Sequence, residues 1–239
     1  RNQARGFMDM ALFEVGAGFH GGEPGEQHML VSGVLIGRTG PKDVHGTSRP
    51  VEGYVVKADA VAVLAAIGAP AKVQILRGAA AWWHPGRHGK ICLGPKKVLG
   101  VFGELHPKVL REMDIKGPAV AFTIWPDEVP LSKNKSATRP ALAATDLQAV
   151  ERDFAFVVDA EVEALALVNA AAGADKTLIT DVRVFDEFIG GSLGEGKKSL
   201  AVTVRLQPTD KTLKDADIEA VSAKIVEKVT KATGGSLRG

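Results

Sequence analysis

The 239-residue sequence predicts an α+β protein in two parts, and three observations carry that expectation. From about Ala149 onward, strand and helix patterns follow one another in the order β-α-β-β-α-β. Residues 1–130 are instead Gly-rich and dominated by strand patterns, with short helices between them. Joining the two, Pro130 to Ala149 mixes Pro, Ser, Lys and small residues without sustained periodicity, as a linker does. The expected organisation is therefore a first domain over 1–130, a linker over 131–148 and a second domain over 149–239.

In the first part, Glu14-Val15-Gly16 and Met29 to Ile36 read as strands. Lys57 to Ile67 reads as a short helix that Gly68 stops. Lys90 to Leu93 and Lys97 to Leu105 look like paired strands around the turn signal Gly94-Pro95. Pro107 opens a helix, at a first-turn position where its missing N–H costs nothing. Gly117-Pro118 ends that segment, and Ala119 to Trp125 is a further strand. The sum is a mainly antiparallel sheet with two or three helices. Its opening Arg-Asn-Gln reads as a cut inside a longer protein, with the sheet incomplete at its N-terminal edge and an apolar patch exposed there.

In the second part, Arg152 to Val158 is a strand and Val162 to Ala172 a helix closed by Gly173. Leu178 to Phe188 is a long strand, Gly190 to Gly196 a glycine-rich loop, and Ser199 to Leu206 a strand. Asp215 to Thr233 is a helix, and Ser236-Leu237-Arg238 a last short strand. This is the split βαβ order of ferredoxin-like folds.

Composition is that of a soluble globular protein, at 45% hydrophobic and 24% charged residues. A net charge of +2 means that any nucleic-acid role needs a local basic surface. Cys92 is the only cysteine, so an internal disulfide and a thiolate metal cluster are excluded; a reducing, cytoplasmic setting fits. No apolar stretch reaches the roughly 18 residues that a bilayer span needs, so no membrane role is expected.

A ferredoxin-like sheet carries both helices on one face and leaves the other open. Alternation assigns Leu200, Val202, Val204 and Leu206 to one face, and Ser199, Ala201, Thr203 and Arg205 to the other. Phe154, Phe156 and Val158 likewise oppose Asp153, Ala155 and Val157. Small open-face side chains let a flat ligand approach the sheet. Near the end of the second strand, Asp186 and Phe188 share a face, and the cost of an unpartnered core carboxylate puts them on the open one. An exposed ring there offers a base-stacking platform, and the carboxylate beside it an acceptor for adjacent N–H donors such as those of guanine. Arg152, Arg183, Lys197, Lys198 and Arg205 are candidate phosphate contacts. The same pattern also fits an ordinary strand end with Phe188 closing the edge of the core, and the lysines alone fit a solvated surface.

Glu151-Arg152-Asp153-Phe154-Ala155-Phe156-Val157-Val158-Asp159 resembles the opening strand of the ferredoxin-fold anticodon-binding domain. Phe185-Asp186-Glu187-Phe188 and Gly194-Glu195-Gly196-Lys197-Lys198-Ser199-Leu200-Ala201 resemble its signature, and Lys211-Thr212-Leu213 and Gly235-Ser236-Leu237-Arg238 complete it. The first part is similar to the domain that precedes it in bacterial phenylalanyl-tRNA synthetase β subunits, through Leu12-Phe13-Glu14-Val15-Gly16, Trp83-His84-Pro85-Gly86-Arg87 and Gly100-Val101-Phe102-Gly103-Glu104-Leu105-His106-Pro107. The resemblance implies a class II synthetase-like module without catalytic residues, which supports assembly with the α subunit in an α2β2 heterotetramer. It implies tRNA(Phe) as partner, anticodon contacts at Ala155, Asp186, Phe188 and Ser199, and a ligase that uses ATP and Mg2+ as a whole, with no cofactor held here. The family often has Tyr where Phe188 stands, and the loop Ile189-Gly190-Gly191-Ser192-Leu193 departs from its usual Arg-Gly and Pro-containing form.

One competing class is a small metal-dependent hydrolase built on His84 and His88, with the second domain as an accessory. Histidines four apart share a face only on a helix, and Pro85-Gly86 between them argues for a turn, so no metal site is expected. The Gly190 to Gly196 loop lacks the Gly-Lys-Ser/Thr ending of a P-loop, and Lys198-Ser199 enters a strand instead of a helix.

Overall fold

A computed structural model describes residues 1–239 except 42, 45, 47, 79, 132–140, 143 and 239, with only the backbone considered at 192. Its contacts divide the chain into two units, 1–138 and 139–239. Much of the linker expected over 131–148 lies outside the described residues.

Unit 1 is one six-stranded antiparallel sheet. In chain order its elements are β1 (Met10–Phe19), β2 (Gln27–Ile36), α1 (Gly53–Ala66), β3 (Gln74–Leu76), β4 (Trp83–Leu93), β5 (Lys97–Leu105), α2 (Pro107–Glu112) and β6 (Ala119–Ile124). Across the sheet the order is β1-β2-β6-β5-β4-β3. Val56, Ala60 and Leu64, four apart on α1, are buried with Ile91, Leu99, Phe102, Val120, Phe122 and Ile124 on one sheet face. Cys92 is buried too, and that burial pushes its thiol pKa up against the opposing pull of Lys90.

Several boundaries differ from the sequence reading. Helix α1 starts at Gly53, four residues before Lys57, and no side chain caps its start. What anchors the first turn is the burial of Val51 and Val56, a tertiary effect. Strand β1 runs ten residues because it is held by its pairing with β2, and β3 was not expected. At its far edge, β1 leaves apolar side chains uncovered: Phe13 (83% exposed), Val15 and Phe19 alternate on the face that α1 covers elsewhere.

Unit 2 matches the expected order closely. It comprises β7 (Val150–Asp159), α3 (Ala164–Ala172), β8 (Ile179–Phe188), β9 (Lys197–Leu206), α4 (Asp215–Thr233) and β10 (Ser236–Leu237). The antiparallel sheet has the order β10-β7-β9-β8. Alternation decides its core. Phe154, Phe156, Val158, Leu200, Val202, Val204 and Leu206 are buried under Leu167 and Ala171 of α3 and Ile218, Val221, Ile225 and Val229 of α4. Each of these side chains larger than alanine contributes about 1.5–3 kcal/mol by leaving water. Helix α4 ends where Gly234 takes a left-handed conformation (φ 68°) and its N–H bonds the Thr230 carbonyl.

The turn into β8 is tied by Asp175. Its Oδ1 accepts from the Thr177 hydroxyl at 2.7 Å and from the backbone N–H groups of Thr177 and Leu178 at 3.1 Å. The Thr177 hydroxyl chiefly, and the two N–H groups and Lys224 less, hold the Asp175 carboxyl below its usual range. A depressed folded-state pKa stabilises above the unfolded value, about 3.9, and that contribution is lost as pH falls through the folded value. Asp175→Ala is therefore expected to lower unfolding free energy by about 1–2 kcal/mol at pH 7. In urea titrations at decreasing pH, the gap between wild type and variant should narrow below about pH 4.

Candidate nucleic-acid interface

The face of the unit 2 sheet away from α3 and α4 is built row by row from strand register. One row reads Arg238, Ala155, Ala201, Asp186: Arg238 N–H donates to the Ala155 carbonyl at 2.8 Å, Ala155 pairs with Ala201, and Ala201 with Asp186. The next row reads Ser236, Val157, Ser199, Phe188. Below them lie Asp153, Thr203 and Arg183, then Glu151, Arg205 and Asp181. The centre is a floor of small residues, with Asp186 and Phe188 standing side by side at its β8 edge.

Asp186 and Phe188 reach this face only because β8 changes phase. Val182 and Val184 lie opposite Val204 and Val202 and face the core, so uninterrupted alternation would carry Asp186 and Phe188 inward. A register shift between Val184 and Asp186 makes Phe185 an extra, exposed residue and turns the rest of the strand over. The ring of Phe188 is 42% exposed. Gly190 packs against its tip: a Cβ there would sit 2.6 Å from Phe188 Cζ, so only glycine leaves the ring where it is.

Ala155, Asp186, Phe188 and Ser199, the four expected anticodon contacts, thus share one face. Ser199 is only 4% exposed and forms floor between Val157 and Phe188, while Asp186 and Phe188 form the wall.

The basic residues divide. Arg183 and Arg205 are exposed on this face. Lys197 is at its end and bonds Asp159 at 2.6 Å. Arg152 and Lys198 are not on it. Arg152 lies opposite Val204 and Lys198 opposite Val158, both core-facing positions. Lys198 is 8% exposed, and its ammonium pairs with Glu187 at 3.1 Å. In both cases strand parity, which already separated Leu200 from Ser199, was the available signal.

Sequence reasoning did not bring Arg238 to this face beside Phe188. Alternation from Ser236 places it on the open face, and its guanidinium carbon lies 5.9 Å from the Phe188 ring centroid.

The histidine loop in unit 1 is organised differently. The β4–β5 ladder jumps from Trp83 opposite Leu105 to His88 opposite Gly103, so residues 84–87 bulge out. His84 Nδ1 accepts from the Gly86 N–H at 3.2 Å, and His88 Nδ1 donates to the His84 carbonyl. Glu104 is engaged by Arg87 at 2.9 Å. No group of three His, Cys, Asp or Glu side chains among the described residues is placed to hold a metal ion.

Two family profiles match the chain: "Phenylalanyl tRNA synthetase beta chain CLM domain" over residues 1–125 and "Ferredoxin-fold anticodon binding domain" over residues 145–238. Among curated proteins, the phenylalanine–tRNA ligase β subunits of Ruegeria pomeroyi, Cereibacter sphaeroides and Rhodospirillum rubrum are 78%, 68% and 52% identical to it. All of the chain is covered in each comparison, and the chain spans 30% of the length of each relative. Among solved structures, pyrrolysyl-tRNA synthetase from Desulfitobacterium hafniense overlaps 53% of the chain and 43% of its own length, with a TM-score of 0.37 and 15% identity.

The buried position of Lys198 sets one expectation. Lys198→Ala should lower unfolding free energy by about 1 kcal/mol, since it removes a shielded stem and leaves Glu187 unpaired. Arg183→Ala and Arg205→Ala should each change it by less than about 0.5 kcal/mol. Urea unfolding of the three variants checks the difference.

Proposed function

The chain belongs to the phenylalanyl-tRNA synthetase β-chain family, and on that premise we propose that residues 149–239 bind the anticodon loop of tRNA(Phe) on the open sheet face. The observation that carries this reading is the pairing of an exposed ring, Phe188, with a carboxylate, Asp186, above a floor of Ala155, Ala201 and Ser199. A base stacked on the ring gains about 1–3 kcal/mol. Its Watson–Crick edge then meets Asp186, which as a carboxylate only accepts hydrogen bonds. Guanine presents two adjacent N–H donors on that edge and satisfies both oxygens. The phenolic hydroxyl that a tyrosine would add is absent here, so Phe188 contributes stacking alone. Arg183 and Arg205 supply charge for phosphates.

Residues 1–130 serve assembly in this reading, with 131–148 as the linker to the second domain. The apolar side chains of β1 support a contact with the α subunit in a heterotetramer that attaches phenylalanine to tRNA in the cytoplasm. ATP and Mg2+ belong to that whole enzyme. His84 and His88 bond within their own loop through Nδ1, and that arrangement gives no support to a hydrolase.

Direct binding of tRNA transcripts to the full chain at fixed salt tests the proposal. Phe188→Ala should cost about 1–3 kcal/mol with every anticodon variant. Asp186→Ala should weaken the guanine-containing anticodon more than variants with another first base, flattening discrimination. Equal weakening of all variants by Asp186→Ala, with the fold intact, would rule out base reading. Phenylalanine-dependent pyrophosphate exchange by the chain alone is expected to be absent, and its detection would contradict the non-catalytic assignment.

A further inference from the structure

Arg238 is the last described residue of the chain, and its backbone position is set by the hydrogen bond of its N–H to the Ala155 carbonyl. Phe188 stands three strands away across β10, β7, β9 and β8, at about 4.8 Å per strand. The two side chains nevertheless meet, with the guanidinium carbon 5.9 Å from the ring centroid. The intervening positions are Ala155 and Ala201 in the row of Arg238 and Val157 and the buried Ser199 in the row of Phe188, so no side chain taller than a valine stands between them. The small floor that would admit a base is thus the track along which Arg238 reaches the ring.

The separation is informative. Two planar groups in direct contact sit about 3.5–4 Å apart, and a base held between two of them needs about 7–8 Å. At 5.9 Å the guanidinium is too far for a tight stack and too close for a base to enter without a shift of about 1–2 Å. An arginine side chain makes a shift of that size by small torsional adjustments, and its flat, weakly hydrated guanidinium stacks on π faces.

We infer that Arg238 is the second jaw of the base site: a nucleobase on Phe188 is covered from above by the Arg238 guanidinium. This rests on the anticodon-loop reading and assigns a positioning residue to it. In the free protein Arg238 rests over the ring and shields part of it from water. On binding it lifts, the base slides onto Phe188, and the guanidinium closes on the other face of the base. Planarity of the guanidinium, beyond its charge, is what the jaw requires.

The test uses the full chain and a tRNA(Phe) transcript, with dissociation constants measured at several salt concentrations for wild type, Arg238→Lys, Arg238→Ala, Phe188→Leu and the Phe188→Leu/Arg238→Lys double variant. Each variant keeps the backbone bond to Ala155, and thermal unfolding confirms the fold. Arg238→Lys and Arg238→Ala should each weaken binding about threefold to thirtyfold. Arg238→Lys should keep the wild-type salt slope, and its effect should shrink below about twofold in the Phe188→Leu background. If Arg238→Lys binds like wild type while Arg238→Ala binds with a shallower salt slope, Arg238 is a phosphate contact and the jaw is refuted. Unchanged binding by both variants refutes any role. Should Phe188→Leu itself bind like wild type, the stacking reading fails and the jaw with it; if Phe188→Leu weakens binding and Arg238→Lys does not, only the jaw is overturned.

Discussion

The open face of the second unit depends on one irregularity, the extra residue at Phe185. Side chains on a strand alternate with period two, so one inserted residue reverses every assignment after it. Before the insertion, β8 gives Val182 and Val184 to the core. After it, Asp186 and Phe188 face outward, and Glu187 turns to the helix side, where it meets Lys198. Without the phase change a carboxylate would lie opposite Val and Leu positions of the core, at a cost of several kcal/mol unless it were protonated or paired. The bulge allows one strand to contribute both to a dry core and to a polar site.

Strands β7 and β9 have no such break, and they divide their side chains cleanly. Their inner apolar residues from Phe154 to Val158 and from Leu200 to Leu206 are almost completely buried and hold the unit together. Near the centre their outer residues, Ala155, Ser199 and Ala201, are small, which keeps the backbone close to anything that lies on the sheet there. In the proposed reading, stability and recognition are therefore carried by opposite faces of the same strands. The mixed charge of the outer face fits this division. Asp153 accepts from the Thr203 hydroxyl at 2.7 Å and Lys197 pairs with Asp159, so part of its charge is already neutralised internally. With a chain net charge of only +2, the proposed recognition rests on local geometry more than on bulk attraction.

Much of this was legible in the sequence, for a physical reason. Unit 2 is made of long strands with regular alternation and of an amphipathic helix, Asp215–Thr233, whose ends carry acidic residues and a glycine, so its order and faces follow from local pattern. The side of Asp186 and Phe188 followed from the cost of burying a carboxylate, although the bulge responsible has no sequence signature of its own. The five basic residues were grouped by proximity along the chain, and strand parity separates Lys198 and Arg152 from Arg183 and Arg205. In unit 1 the start of α1, the full length of β1 and the short β3 were not legible, because each is held by pairing or burial against other elements and not by its own local pattern. Arg238 was hidden for the same reason: its neighbour Phe188 is fifty residues away and three strands across.

A structure of the full chain bound to a tRNA(Phe) anticodon stem-loop tests the central claim most directly. The account predicts the first anticodon base flat on the Phe188 ring, with its two N–H donors on the Asp186 carboxylate and the loop lying across Ala155 and Ala201. A stem-loop seated on α3 and α4, or on the open face with Phe188 still covered and Asp186 facing water, would contradict it.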